Sequence, residues 1–169
     1  MNFPDVIVLN GTSSSGKTSL AIALQETLEE SYMHLSIDAI LGTLPQRAFT
    51  PDVIVQTVHR GMAGFHRCIA ALASTGNKVI VDIVFENKEW AEECILLLQP
   101  YNALFVGVHC PLEELERREQ ARGNRTIGMA RRQLNHVHLR IQYDIEVNTL
   151  ENTPEQCAEQ IKQHLLNHT

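Results

Sequence analysis

Eight residues, Gly11-Thr12-Ser13-Ser14-Ser15-Gly16-Lys17-Thr18, constrain the fold of this chain more than any other stretch. They match the pattern G-x-x-x-x-G-K-[ST], and the surroundings fit it. Residues 5–10 (DVIVLN) are an apolar run too short for a helix, which predicts a strand buried on both faces. From Lys17 to about Glu30 the leucines at 20, 24 and 28 recur every four residues, which predicts an amphipathic helix. A glycine-rich loop between a buried strand and a helix curls so that several backbone N–H groups face one anion. The helix adds the positive end of its dipole. Gly11, Thr12, Ser13, Ser14, Ser15, Gly16, Lys17, Thr18 and Ser19 are therefore the expected nucleotide-phosphate contacts. Lys17 should reach the β- and γ-phosphates of ATP, and the Thr18 hydroxyl should ligate Mg2+. GTP in place of ATP stays open.

The rest of the chain repeats the alternation of strand and helix. Strands are expected at 32–37, 78–82, 103–109 and near 143–147. Helices are expected over about 53–74, from an Asn87 cap towards Gln99, and after Pro111, which suits a first helical position. Thr153-Pro154-Glu155-Gln156 reads as a capping box opening a last helix whose apolar face is Cys157, Ile161 and Leu165. Such alternation predicts an α/β fold with a five-stranded parallel sheet covered on both sides, its ligands beyond the carboxyl ends of the strands. At 169 residues one domain of this kind fits.

Two acids stand at predicted strand ends. Asp82 closes VIVD in the manner of a Walker B acid that holds Mg2+, and Asp38 closes the second strand, where it could take the proton of an acceptor hydroxyl. Each could instead cap the element that follows. Between 113 and 132 lie six arginines. Glu113–Arg117 and Glu114–Arg118 are favourable helical pairs, but Arg118, Arg122 and Arg125 would stack like charges on one face unless an anion neutralises them. With Gly123 and Gly128 interrupting the helix, this predicts a lid over the triphosphate, leaving Arg131 and Arg132 at the surface.

Net charge is −6, so the surface as a whole repels nucleic acid and anionic membranes, and an anionic substrate needs a local basic patch. No apolar run is long enough for a membrane span and no signal peptide is expected before the first strand, which predicts a cytoplasmic protein. Cys68, Cys94, Cys110 and Cys157 lack CxxC spacing and read as reduced core thiols. The eight histidines show no zinc spacing, and His66 reads as a half-buried, satisfied core histidine. Residues 42–66 mix aliphatic side chains, Phe49 and Phe65 with a few polar groups, as a small, partly apolar alcohol would require.

The chain resembles the chloramphenicol phosphotransferase-like family over nearly its whole length. The stretches that carry this are LNGTSSSGKTS at 9–19, IDAI at 37–40, GFHRCIAALASTGNKVIVDIVF at 64–85, VGVHCPLEELERRE at 106–119, ARGNRTIGMARRQ at 121–133 and HLRIQYDIEVNT at 138–149. The resemblance implies a P-loop, nucleoside-monophosphate-kinase-like fold in one domain, with a lid at about 117–130 and an acceptor-binding region at about 38–66. It implies a kinase that moves the γ-phosphate of ATP, with Mg2+, to a hydroxyl of a small molecule. Asp38 then matches the proposed base; Arg118, Arg122 and Arg125 match the phosphate-contacting lid, with Lys17 and Arg125 beside Asp38 in the catalytic set. One departure is visible: Ile83 follows Asp82 where members often carry a second polar residue. The family label therefore does not name the acceptor. A sugar derivative, a nucleotide-sugar or adenylylsulfate is the alternative acceptor, and a non-catalytic nucleotide-binding regulator is the alternative from another class. The turn at Asn148 and Thr149 is a candidate for holding the adenine.

Overall fold

In a computed structural model, which describes residues 3–123, 127–139 and 141–168, the chain forms one sheet of five parallel strands. The strands are β1 (Val6–Asn10), β2 (Tyr32–Ser36), β3 (Lys78–Ile83), β4 (Ala103–His109) and β5 (Ile145–Asn148), in the spatial order 2-3-1-4-5. The helices are α1 (Lys17–Thr27), α2 (Ile37–Leu41), α3 (Pro51–Ser74), α4 (Lys88–Leu98), α5 (Leu112–Arg122), α6 (Met129–Leu134) and α7 (Pro154–Asn167), with a 3-10 turn at Gln46–Phe49. β1 lies at the centre, paired with β3 and β4, and all five of its residues are buried. A buried strand flanked by parallel neighbours needs apolar side chains on both faces, which is why 5–10 reads as a continuous run rather than an alternation.

Side chains of β1 separate the two cores. Ile7 and Leu9 pack with Leu20 and Leu24 of α1 and Cys157, Ala158 and Ile161 of α7. Val6 and Val8 pack on the other face with Met62, Phe65 and Ile69 of α3 and Ala91, Cys94 and Leu98 of α4. The α7 capping box is present, Thr153 accepting from Gln156 N–H and the Gln156 side chain accepting from Thr153 N–H.

Several boundaries differ from the expectation. β2 stops at Ser36, because the Ser36 hydroxyl accepts from Asp38 N–H and caps α2, so Asp38 stands in a first helical turn instead of closing a strand. Pro111 is the cap residue of α5, which starts at Leu112. Cys68 is exposed on α3, while the other three cysteines are buried; all four are free thiols. Glu114 takes both Arg117 and Arg118, so the expected Glu113–Arg117 pair is replaced by an i,i+3 one. Hydrogen bonds from Arg117 and Arg118 hold the Glu114 carboxyl down to about 2.

Glu119 is 1% exposed, and its two oxygens accept from Gly128 N–H (2.7 Å) and Ala130 N–H (3.1 Å). It thus supplies the cap that Gly128, at φ 87°, cannot supply for α6, and it ties α5 to α6 across the base of the intervening segment. Glu119→Ala leaves two N–H groups without a partner and should cost about 1–3 kcal/mol. Urea unfolding reads this as a lower midpoint at unchanged slope; an unchanged midpoint would show that the brace contributes nothing.

Candidate active site

The loop after β1 has the conformation that its glycines and serines predict. A Cβ at Gly11 would lie 2.4 Å from the Val108 carbonyl oxygen, so only glycine lets the loop pass over β4. Gly16 (φ 94°) and Ser14 (φ 64°) both adopt left-handed backbone, a costly conformation for a serine. Thr12, Ser13, Ser14 and Ser15 are buried, and the Ser14 Oγ has no hydrogen-bond partner among the described residues. A buried hydroxyl left unpaired beside curled backbone amides is what an anion would satisfy. Lys17 is 8% exposed, and its Nζ donates to the Gly11 carbonyl (2.9 Å) and the Thr12 carbonyl (2.7 Å). Its charge is thereby held at the mouth of the loop. Ser19 is exposed in the first turn of α1.

Thr18 and Asp82 come together as expected: Thr18 Oγ1 donates to Asp82 Oδ2 at 2.8 Å. The same oxygen lies 3.0 Å from His34 Nε2. Burial disfavours the charged Asp82, but the hydrogen bonds from His34 and Thr18 and the charge of Lys17 outweigh it and lower its pKa. Asp82 is therefore an ionised, buried oxygen donor beside a hydroxyl, a pair of groups that suits a hard divalent cation. His34 was not foreseen. Its position is legible only once β2 is paired with β3: His34 lies opposite Ile80, so it shares a face with Asp82 two residues further along.

Ile83 is 1% exposed and packs in the core with α3 and α4, so its apolar character serves packing. Asp38 is exposed in α2, beyond the Ser36–Asp82 register pair, at the same carboxyl edge as the phosphate loop.

Arg118 reaches the loop from α5. Its guanidinium donates to Glu114, to Thr149 Oγ1 (3.1 Å) and to the Thr149 carbonyl (2.8 Å), and its Nη1 lies 3.6 Å from the place a Cβ would occupy on Gly16. Thr149 Oγ1 in turn donates to the Ser15 carbonyl at 2.7 Å, so the turn after β5 is bonded directly to the phosphate loop. Arg122 is exposed at the end of α5, followed by Gly123 in left-handed conformation; Arg125 lies outside the described residues. Arg131 pairs with Glu116 at the surface.

Two further residues of the site gave no motif. Asn10, fully buried, donates to the Val137 carbonyl (2.8 Å) and Tyr143 Oη (2.6 Å) and accepts from Phe85 N–H (3.0 Å). Gln133, 2% exposed on α6, accepts from Ser13 N–H at 2.6 Å and donates to Glu86. His66 is 1% exposed, with Nδ1 on Glu93 and Nε2 without a partner among the described residues, so it is more buried and less satisfied than expected. Burial lowers its pKa. His138 stacks on His109, accepts from Tyr143 Oη, and is pushed down to about 4 by burial, the neighbouring His109 and Lys17. Among the described residues no group of three His, Cys, Asp or Glu could hold a metal, and no helix is long and apolar enough to cross a membrane.

A parallel sheet of this order, with a phosphate loop running into α1, defines a P-loop kinase fold. Residues 4–166 match the family described as chloramphenicol phosphotransferase-like protein, and the chain belongs to it. A Mycobacterium tuberculosis protein named "Putative O-phosphotransferase" is 33% identical over 179 residues, covering 92% of this chain and 80% of that protein. Among solved structures, the APS kinase of Mycobacterium tuberculosis in complex with AMPPNP and APS superposes with a TM-score of 0.72 at 18% identity, covering 95% of this chain and 96% of the other. Shikimate kinase from Acinetobacter baumannii in complex with shikimate gives 0.66 at 15% identity, covering 99% and 96%. These likenesses confirm the three-layer α/β/α fold and its parallel sheet.

Because His138 is held neutral in the folded protein, its native pKa lies below its unfolded value near 6.5. The unfolded chain then binds the extra proton first, so this contribution to stability is present above about pH 6.5 and is lost as pH falls towards 4. His138→Asn keeps a hydrogen-bond acceptor but does not titrate, and should flatten that part of the stability profile. Urea unfolding at several pH values tests this; parallel profiles for the two proteins would show that His138 is not held neutral.

Proposed function

We propose that this protein transfers the γ-phosphoryl group of Mg·ATP to a hydroxyl of a small molecule. The observation that carries this reading is the hydrogen bond between Thr18 and Asp82, which joins two oxygen donors suited to Mg2+ beside a cradle containing a buried serine hydroxyl with no partner among the described residues. The residues present fit both groups. Backbone amides of 12–18, Ser14 Oγ and Lys17 would hold the phosphates; Thr18 and Asp82 would hold the metal, directly or through water. Bound Mg2+ supplies neutralisation of charge on the phosphate oxygens.

The chain's own residues do the rest by position and charge. Lys17, already desolvated and fixed on the loop carbonyls, presents a localised positive charge to the phosphates. Arg118 closes one side of the loop and braces the turn at Thr149, which would sit by the adenine. Arg122, at the end of α5, and Arg125 would complete a lid over about 117–130 that excludes water. Asp38 would orient the acceptor hydroxyl and take its proton as the oxygen attacks phosphorus. The acceptor would lie at the carboxyl edge of the sheet, reaching from Asp38 on α2 towards the turn after β3. Structures that share this fold were solved with APS and with shikimate, so related scaffolds bind different small molecules.

Acceptor-dependent ADP release with Mg·ATP and a panel of small alcohols, chloramphenicol included, tests the reading. Lys17→Met should lose nucleotide binding and turnover together. Asp38→Asn should lose turnover by about 100-fold or more while keeping the nucleotide Kd, since general bases contribute about that much. Equal loss of both properties in Asp38→Asn would remove its role as base. Tight nucleotide binding with no acceptor in a broad panel would point to a regulator.

A further inference from the structure

A cavity of about 340 Å3 lies between the turn after β3 and the segment after α6, lined by Phe85, Glu86, Lys88, Glu89, His136 and Val137 among others. It is connected to the phosphate loop by a relay of fixed polarity. Ser13 N–H can only donate, so the Gln133 oxygen accepts from it; the Gln133 amide nitrogen must then donate, and Glu86 must accept through Oε1. Gln133 is buried, which leaves it no alternative partner in solvent. The neighbouring Phe85 N–H is pinned by Asn10, so the backbone that carries Glu86 is also fixed. Glu86 lines the cavity, and its second oxygen takes no hydrogen bond from any described residue.

Glu89 adds a second carboxylate, whereas the ammonium of Lys88 is bonded to Glu92 at 3.0 Å. Phe85, Val137, Ala91 and Ile141 give the cavity a buried apolar floor. A carboxylate or phosphate placed here would meet Glu86 and Glu89, and among the described lining residues the ammonium of Lys88 is already paired with Glu92.

Resting on the kinase reading above, we propose that Glu86 is the group on which the acceptor is held, and that the acceptor is a hydroxylated compound, neutral or carrying an amine, with an apolar face and no acidic group on this side. Its hydroxyl or ammonium donates to Glu86, and Gln133 is the positioning residue that keeps this carboxylate in register with the phosphate loop.

Both halves of the proposal are testable without knowing the acceptor or observing turnover. His136→Cys, at the cavity, is introduced into a Cys68→Ser protein, which removes the exposed native thiol. Its labelling rates with a cationic and an anionic methanethiosulfonate reagent of similar size are then compared. The cationic reagent should react faster by about fivefold or more, as expected for a site lined by one sign of charge, and Glu86→Gln should reduce the ratio. Equal rates, or a faster anionic reagent, overturn the proposal. The relay is tested by exchanging its members. Gln133→Glu alone keeps an acceptor for Ser13 N–H but sets two carboxylates against each other, and should lower Tm. Adding Glu86→Gln restores a donor between them and should recover Tm while the labelling ratio stays low. A double variant no more stable than Gln133→Glu alone overturns the relay. Failure of the kinase reading would show separately, as ADP release that no acceptor stimulates while these labelling and Tm results stand.

Discussion

The passage of Gly11 over the Val108 carbonyl is the constraint on which the rest of the structure depends. With 2.4 Å between that oxygen and the site of a Cβ, β1 can turn into the phosphate loop only at a residue without a side chain. The turn must also occur at the centre of the sheet, because β1 is flanked by β3 on one side and β4 on the other. The carboxyl ends of both neighbours are then brought beside the loop, Asp82 from β3 and His109 from β4. α1 follows directly, so its dipole points at the same space as the loop amides. A single backbone approach thus places cradle, metal-type ligands and helix terminus together.

A chain with net charge −6 must concentrate positive potential if it is to hold a triphosphate. Burial does part of this. Lys17 is desolvated at the loop mouth, where a charge is screened less than at the surface. Arg118 is half-sheltered and fixed by Glu114 and Thr149, whereas Arg117, on the same Glu114, and Arg131, on Glu116, are themselves exposed to solvent. Of the arginines between 113 and 132, spacing alone set Arg118 apart from Arg117, and the structure supplies the reason: only the former lies against Gly16.

What was legible in the sequence follows the range of the interactions. Strand and helix existence, the parallel sheet, the α7 capping box and the Thr18–Asp82 pair all derive from local pattern plus the rule that strands end at one edge. Partners from distant segments were not legible. His34 meets Asp82 through strand register, Gln133 meets Ser13 across 120 positions, and Asn10 meets Tyr143 across 133. No periodicity encodes such pairs, because each is a polar group satisfying another only after the elements have packed. The same reason accounts for Ile83. Read beside Asp82 it looked like a change in a site, yet alternation along β3 sends it into the α3–α4 core.

The two acids at the carboxyl edge differ in environment, and that difference separates their chemistry. Asp82 belongs to the second strand from the edge of the sheet, is buried, and is kept ionised by a hydroxyl, a histidine and a lysine. Its oxygens are positioned by a strand paired on both sides, which suits an ion whose coordination tolerates little displacement. Asp38 is carried by a five-residue helix that buries none of its side chains. That helix rests on α3, where Gly61 leaves room for Leu41. Solvent access keeps an exposed carboxylate from holding a cation tightly, but it lets the group exchange a proton with an acceptor and then with water. A buried acid on the sheet for charge and an exposed acid on a helix for the proton is the division of labour that the proposed phosphoryl transfer to an alcohol would use.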